Sequence, residues 1–253
     1  LVYYSYGVSR RASLVVLSPE EVLLVYLSNK DAYHLAAIFL NISGNTVSIG
    51  EDVKIYDTAS QVFAAEMISS DKVLVTFRDD DNLYYGTAII LNVYGGAVSV
   101  SEKVVFYNSR ADAITSMALS SEKVLVTFAD QHNSSYLSAI ILTVSGTNIS
   151  VGEKASFSST ISFSPYGDNN FIVSKLISPE KAVLLYPTND DKGKAIVLTI
   201  SDDKISFGKE LTFNQSVSSY ICASDVYQNK LIALYSDDGN SDYGTAQPLY
   251  IVD

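Results

Sequence analysis

The chain has 253 residues, a formal net charge of −11 at pH 7 and a pI of about 4.5. This acidic balance argues against nucleic acid and anionic membranes as partners, because both are bound by clustered lysine and arginine side chains. A single cysteine, Cys222, excludes an intrachain disulfide, and no apolar run approaches the ~20 residues of a transmembrane helix. Because Cys222 lies in a predicted strand, we expect it to be a buried, small apolar residue.

The first predicted element is Leu1–Tyr6, an apolar and aromatic segment that reads LVYYSY. After it, an apolar run that follows a polar turn occurs five times along the chain. These runs start at Val22, Val73, Val124, Ala182 and Leu231, in steps of 51, 51, 58 and 49 residues. A second landmark, an alanine inside a later apolar run, keeps nearly the same spacing at Ala37, Ala88, Ala139, Ala195 and Ala246. Two landmarks with one period indicate an array of equivalent units.

One unit, residues 113–159, illustrates the elements predicted for all five. It contains four short segments rich in β-branched and aromatic residues, separated by clusters of Ser, Gly, Asn and Asp, as strands and turns are. The second and third segments are apolar on both faces and must be covered on both faces. The fourth alternates between apolar and polar residues, as a half-exposed strand does. This pattern predicts four-stranded sheets stacked as propeller blades, with almost no helix.

The fifth unit ends after three predicted strands, and Leu1–Tyr6 resembles the fourth strand of the other units. We therefore predict one domain over residues 1–253, an all-β, five-bladed β-propeller with four-stranded blades. The N-terminal strand would close the last blade, a three-plus-one closure. A solenoid is the alternative architecture. Pro248 falls in the third strand of the last unit, where we expect a bulge or early fraying.

In a propeller, the loop after each second strand opens on the same face as the connection between blades, and this face is where function is expected. In this chain those loops concentrate Asp, Asn, Ser and Tyr together with arginines. The candidate ligand-binding residues are Arg10, Arg11, Arg78, Asp79, Asp80, Asp81, Asn82, Arg110, Asp130, His132, Asn133, Asp237, Asp238 and Tyr243.

These residue types suit sugar binding. Carboxylates, amides and guanidinium groups hydrogen-bond vicinal hydroxyls, and a tyrosine ring can cover the apolar side of a sugar. The chain has 18 tyrosines but no tryptophan for stacking. The alternative is that Asp and Asn fill the loops because they stabilise turns. Both interpretations remain open from the sequence.

A glycoside hydrolase would need a pair of carboxyl groups, one of them with a raised pKa. The predicted first strands offer only Glu66 and Asp225. Alignment of the repeats places one residue of each first strand in a predicted channel ring: Val15, Glu66, Met117, Lys175 and Ser224. Glu66 and Lys175 form an expected charge pair rather than an acid/base couple. The aspartate clusters match no calcium loop, so we predict no catalytic residue, no cofactor and no metal site.

The repeat resembles one found in tail and receptor-binding proteins of bacteriophages and in related bacterial surface proteins. The matching segments are Lys123–Phe128, Tyr84–Ile90 in YYGTAII, Thr143–Thr147 in TVSGT and Ile205–Gly208 in ISFG. The resemblance covers all five repeats and implies adhesion to a host surface. It assigns a role to no individual residue.

From loops and resemblance together we predict a non-enzymatic, lectin-like binding module of a phage tail or bacterial surface assembly. Its expected partner is a cell-surface glycan or protein, and other subunits of a virion or surface assembly are a further class of partner. The expected location is the virion or the cell surface, without membrane insertion and without nucleic acid binding. A purely structural propeller subunit and a five-bladed glycoside hydrolase are the alternatives.

Overall fold

The computed structural model describes residues 12–28, 34–57, 62–161, 172–216, 218–225 and 230–251. These ranges form an all-β structure. Their helical elements are two three-residue 3-10 turns, Gln131–Asn133 and Asp238–Asn240, which confirms the expectation of almost no helix. Neither turn has the length or hydropathy of a membrane-spanning helix. The predicted N-terminal strand, Arg10 and Arg11 lie outside the described residues.

The chain forms two compact units. The first comprises residues 1–110 and 144–150, and the second comprises residues 111–143 and 151–253.

Two antiparallel sheets belong to the first unit. The first sheet has the strand order β1 (Ala12–Ser18), β2 (Glu21–Ser28), β3 (His34–Ser43) and β4 (Thr46–Tyr56). The second sheet consists of β5 (Phe63–Ser69), β6 (Lys72–Asp79) and β7 (Tyr85–Tyr94), with β8 (Ala97–Val100) and the beginning of β9 (Val104–Ala118) both pairing with β7. The order of strands therefore follows the chain, as predicted for a blade.

Three more sheets follow in the chain. In the third, the later part of β9 pairs with β10 (Lys123–Asp130), which pairs with β11 (Tyr136–Ser145), and β12 (Asn148–Val151) and β13 (Ala155–Thr160) lie beside β11. The fourth contains β14 (Val173–Ser178), β15 (Lys181–Pro187), β16 (Gly193–Ser201), β17 (Lys204–Phe207) and β18 (Leu211–Asn214). The fifth contains β19 (Ser218–Asp225), β20 (Lys230–Asp237) and β21 (Tyr243–Tyr250). Three strands in the fifth sheet agree with the predicted end of the repeat array.

The outer strand is interrupted at the same place in the second, third and fourth sheets. There, the backbone N–H of Ser101, Gly152 or Gly208 donates to a carbonyl of the neighbouring strand. A Cβ on Gly152 would lie 2.8 Å from the carbonyl oxygen of Ile141, so the chain approaches too closely for a side chain. The outer strand predicted as one element is therefore two short strands joined at a close approach.

Burial of both faces of the second strands holds the sheets together. In β15, Leu184 belongs to a core cluster with Leu125 of the third sheet, and Leu185 belongs to one with Leu231 of the fifth sheet. In the first unit, Val25 and Phe77 share a core between the first two sheets. Truncation of such fully buried leucines typically costs about 2–5 kcal/mol. The prediction that the second strands are covered on both faces is confirmed for β15.

The fifth sheet departs from the sequence expectation. Alternate residues of β20 are exposed, and Leu234 is 46% exposed. Cys222 lies opposite Leu234 in the register and is also exposed, so the prediction of a buried cysteine is wrong. The bulge expected at Pro248 is also absent, because β20 and β21 pair without a register shift. The β20–β21 ladder therefore accommodates proline at position 248 without a bulge.

Candidate functional site

Three of the loops after the second strand share one backbone design. We call the end of a sheet that carries this loop its loop edge. An aspartate ends the second strand before each loop: Asp79, Asp130 and Asp237. Two consecutive residues then adopt the left-handed conformation: Leu83 and Tyr84, Ser134 and Ser135, and Ser241 and Asp242. The same geometry in three repeats supports the alignment made from the sequence.

Asp79 is used inside the fold. Its side chain is fully buried, with Oδ2 accepting hydrogen bonds from the Tyr56 hydroxyl at 2.8 Å and from Nζ of Lys103 at 3.0 Å. The hydrogen bond with Tyr56 is the main cause that raises the pKa of Lys103. This carboxylate joins the end of β6 to Tyr56 at the end of β4 and to Lys103 just before β9, and it is not presented to solvent.

Asp130 plays the same part in the third repeat. Its buried carboxylate lies 2.5 Å from Nζ of Lys154 and accepts hydrogen bonds from the backbone N–H groups of His132 at 3.1 Å and Asn133 at 3.2 Å. His132 and Asn133 themselves are exposed. Of the residues predicted in this loop, these two side chains are therefore the ones that can meet a ligand.

The first and fourth repeats make the equivalent connection with different residues. The Tyr26 hydroxyl donates to Asp52 at 2.7 Å, and the Tyr186 hydroxyl donates to Glu210 at 2.7 Å. Where the second strand has Phe77 or Phe128 in place of this tyrosine, the outer strand has lysine in place of the acid. The connection is thus retained while its chemistry changes, which indicates a structural role for these groups.

A different arrangement surrounds Tyr84 in the second repeat. Arg78 forms a two-pronged ion pair with Asp80, with Nε–Oδ1 at 2.6 Å and Nη2–Oδ2 at 3.1 Å. The guanidinium carbons of Arg78 and Arg110 lie 5.3 Å and 5.2 Å from the centre of the Tyr84 ring, within cation–π range. Tyr84 is 44% exposed, and the neighbouring Leu83 is 69% exposed.

This cluster gathers several predicted residues of one loop and one from β9. Arg110 reaches it because it pairs with Tyr85 in the β7–β9 ladder. Asp81 is exposed and Asn82 is half-buried in the same loop. The cluster therefore presents guanidinium donors, carboxylate acceptors and an exposed aromatic ring at the loop edge of the second sheet. We call Arg78, Asp80, Tyr84 and Arg110 the arginine cluster.

The last repeat has an acidic loop edge. Asp237 accepts hydrogen bonds from Nδ2 of Asn214 at 3.0 Å and from the backbone N–H of Gly239 at 3.1 Å. Asp238 and Tyr243 are exposed. Partial loss of solvation, followed by a hydrogen bond with Asp242, raises the pKa of Asp238. In the described parts of the chain, no three His, Cys, Asp or Glu side chains are grouped as metal ligands would be.

The predicted ring residues occupy equivalent places in their first strands. Each pairs with the second residue of the following apolar run: Val15 with Leu23, Glu66 with Leu74, Met117 with Leu125, Lys175 with Val183 and Ser224 with Ile232. The alignment of the repeats is confirmed by this register. The charge pair between Glu66 and Lys175 stays a prediction.

A pocket in the fourth repeat was missed by the sequence analysis. It has a volume of about 250 Å³ and includes Ser159, Thr188, Asp190, Lys194 and Glu210 in its lining. The loop TNDDKGK is shorter than its counterparts, and the inserted segment before β14 obscures the alignment. The signal in the sequence was the Lys194–Glu210 pair, which occurs where the second and third repeats have an aspartate–lysine connection.

No protein-family model matches the chain, and no curated protein matches it in sequence. Solved structures do resemble it. AofleA from Arthrobotrys oligospora is 10% identical with a TM-score of 0.59, and the match covers 98% of this chain and 73% of that chain. The SapL1 lectin, solved with alpha methyl fucoside, is 13% identical with a TM-score of 0.57 over 94% of this chain and 76% of that chain.

The NanB sialidase from Streptococcus pneumoniae is 13% identical with a TM-score of 0.57, over 81% of this chain and 33% of that chain. The chain has a propeller-type, lectin-like fold. At these identities the likeness concerns the fold alone.

Proposed function

We propose that this chain is a glycan-binding module whose loop edges recognise a cell-surface carbohydrate. The observation that carries the proposal is the arginine cluster. Of the chain's four arginines, the two in the described residues both flank Tyr84. The ion pair with Asp80 holds the Arg78 guanidinium in one orientation, and a preorganised planar donor array loses less freedom when it binds hydroxyl groups.

The propeller-type fold supports this proposal, because AofleA and SapL1 share it and SapL1 was solved with a fucoside. We further propose five blades and closure of the last one by Leu1–Tyr6, since the fifth sheet has three described strands. The setting in a phage tail or bacterial surface assembly remains part of the proposal. Both this setting and the proposed location at a virion or cell surface are based on the resemblance of the repeats.

A glycan array probed with the purified protein, followed by calorimetric titration of the best ligand, tests the proposal. Arg78→Ala and Arg110→Ala should each weaken binding by about 5- to 150-fold, the equivalent of ~1–3 kcal/mol for charge-assisted hydrogen bonds. Lys123→Ala removes one cation at the opposite end of its sheet, where Lys123 forms an exposed ion pair with Asp203. This control should bind normally.

Unchanged affinity in both arginine variants would contradict the proposed site, as would a loss of binding in Lys123→Ala. Absence of any glycan binding would favour the structural-subunit alternative.

The hydrolase alternative is supported by the shared fold of the NanB sialidase. Incubation of the protein with the same glycans, followed by chromatography of the products, separates the two functions. Intact glycan after binding agrees with a lectin. Released sugar would favour a hydrolase instead.

A further inference from the structure

The fourth repeat contains a pocket that the arginine cluster does not explain. It lies in the second unit, at the loop edge of the fourth sheet, and Phe157 and Thr160 of β13 form its other side. Its volume of about 250 Å³ is below the range of drug-sized sites. The space therefore fits a small ligand, on the scale of one sugar ring.

Charged groups of both signs converge in this pocket. Nζ of Lys194 lies 2.6 Å from Oε2 of Glu210 and 4.0 Å from Oδ1 of Asp190. The side chains of Lys194 and Glu210 are only 16% and 21% exposed. Burial opposes the charged form of Glu210, but hydrogen bonds from Lys194, Ser159 and Tyr186 hold the pKa of its carboxyl below the usual value. The pocket thus keeps an ionised acid and a cation side by side.

The supporting groups are fixed by the fold. Thr188 is almost fully buried, and its hydroxyl donates to Asp190 and approaches the Lys192 carbonyl oxygen at 3.1 Å. Phe157 packs on Phe207 with ring centroids 5.5 Å apart. Few of these side chains need to reorganise when a ligand enters, which lowers the entropy cost of binding.

We propose that this pocket is a second binding site, which takes one neutral sugar ring. Carboxylate oxygens accept hydrogen bonds from adjacent hydroxyls, the Lys194 ammonium donates to another oxygen, and Phe157 contacts the apolar side of the ring. Two acids and one lysine give the lining a net negative charge, so sialic acid and uronic acids are disfavoured. The class of ligand follows the proposed glycan-binding function, but the site is independent of the arginine cluster.

Ligand-observed NMR and calorimetry with free monosaccharides test the proposal. The panel should contain neutral sugars (glucose, galactose, mannose and fucose) and two acids (glucuronate and sialic acid). The wild-type protein should bind at least one neutral sugar and neither acid at this site. Lys194→Met and Glu210→Gln should weaken that binding at least tenfold, while Arg110→Ala retains it.

Lys192→Ala is the matched control, because Lys192 pairs with Oδ2 of Asp190 at 2.7 Å and does not line the pocket. It should bind as the wild type does. Circular dichroism and thermal unfolding of each variant exclude loss of folding, and Glu210→Gln keeps the shape of the side chain if Lys194→Met is unstable.

The proposal is overturned if no neutral monosaccharide binds, if only the acids bind, or if the two pocket variants bind like the wild type. It is also overturned if Arg110→Ala abolishes monosaccharide binding, because the ligand would then occupy the arginine cluster. Loss of glycan-array binding in the arginine variants with retained monosaccharide binding would support both sites separately.

Discussion

Replacing Lys154 with methionine should destabilise the protein, because the buried Asp130 carboxylate then loses the cation that balances it. The Asp130 side chain is 0% exposed, and Nζ of Lys154 lies 2.5 Å from its Oδ2. Methionine keeps most of the apolar length of the lysine stem, so the substitution removes charge with little change in packing. The effect therefore measures the ion pair itself.

The structure sets the magnitude. Removal of one partner from a fully buried pair costs about 3–5 kcal/mol. Lys154 is 32% exposed, which allows solvent to screen the pair, and Asp130 keeps the hydrogen bonds from the backbone N–H groups of His132 and Asn133. We therefore expect a loss of about 2–3 kcal/mol in the free energy of unfolding.

Urea unfolding followed by far-UV circular dichroism measures this loss. Each kcal/mol corresponds to about 2–4 °C in Tm for a chain of this size, so Tm should fall by about 4–12 °C. Lys123→Met is the control, since Lys123 pairs with the exposed Asp203 and should cost less than ~1 kcal/mol. Equal effects of the two substitutions would refute the conclusion that Asp130 depends on Lys154.

Two further predictions concern glycine fit and acid stability. Gly86→Ala should cost about 1–3 kcal/mol in the free energy of unfolding, because its Cβ would lie 2.6 Å from the Phe106 ring. Gly50→Ala is the control, because its Cβ would meet Phe39 at an ordinary contact distance of 3.4 Å and should change the urea midpoint little. The hydrogen bond with Lys192 is the main cause that lowers the pKa of Asp190 to about 2. Because the pKa of an aspartate in the unfolded chain is ~3.9, the contribution of Asp190 to stability is present above pH ~4 and is lost as pH falls toward 2. Between pH 5 and pH 2, the urea midpoint should therefore fall less steeply in Asp190→Asn than in the wild type. The difference should be small, because the Asp190 side chain is half-exposed. Identical slopes in the two proteins would contradict this assignment.

The sequence predicted the strands well because they depend on local patterns. The apolar runs that start at Val73 and Val124 became buried second strands, and residues aligned from the sequence, such as Glu66 and Met117, took equivalent positions in the register. Repetition reinforced each assignment, since an error in one unit would have conflicted with the others. The end of the array after three strands was likewise predicted.

The candidate site was harder to predict because it depends on contacts between distant residues. Asp79 belongs to a run of three aspartates that suggests an exposed loop, yet it is buried, because Lys103 lies across the sheet from it. Nothing in the local sequence indicates that Arg110 and Arg78 meet at Tyr84. Bulges in the β7–β9 ladder set that distance, and bulges leave no clear signal in the sequence.

The burial of the fifth sheet was also beyond sequence reasoning. Its second strand, LIALY, matches the buried strands in composition, but Leu234 is exposed. Burial depends on what covers a face, and a strand sequence describes only the strand itself.

A crystal structure of the protein with the glycan selected on the array shows directly whether the arginine cluster binds the sugar. We expect sugar hydroxyl oxygens within hydrogen-bonding distance of the Arg78 or Arg110 guanidinium, with the ring near Tyr84. Glycan bound only at the opposite end of the sheet, next to the turns that contain Lys72 or Lys123, would contradict it.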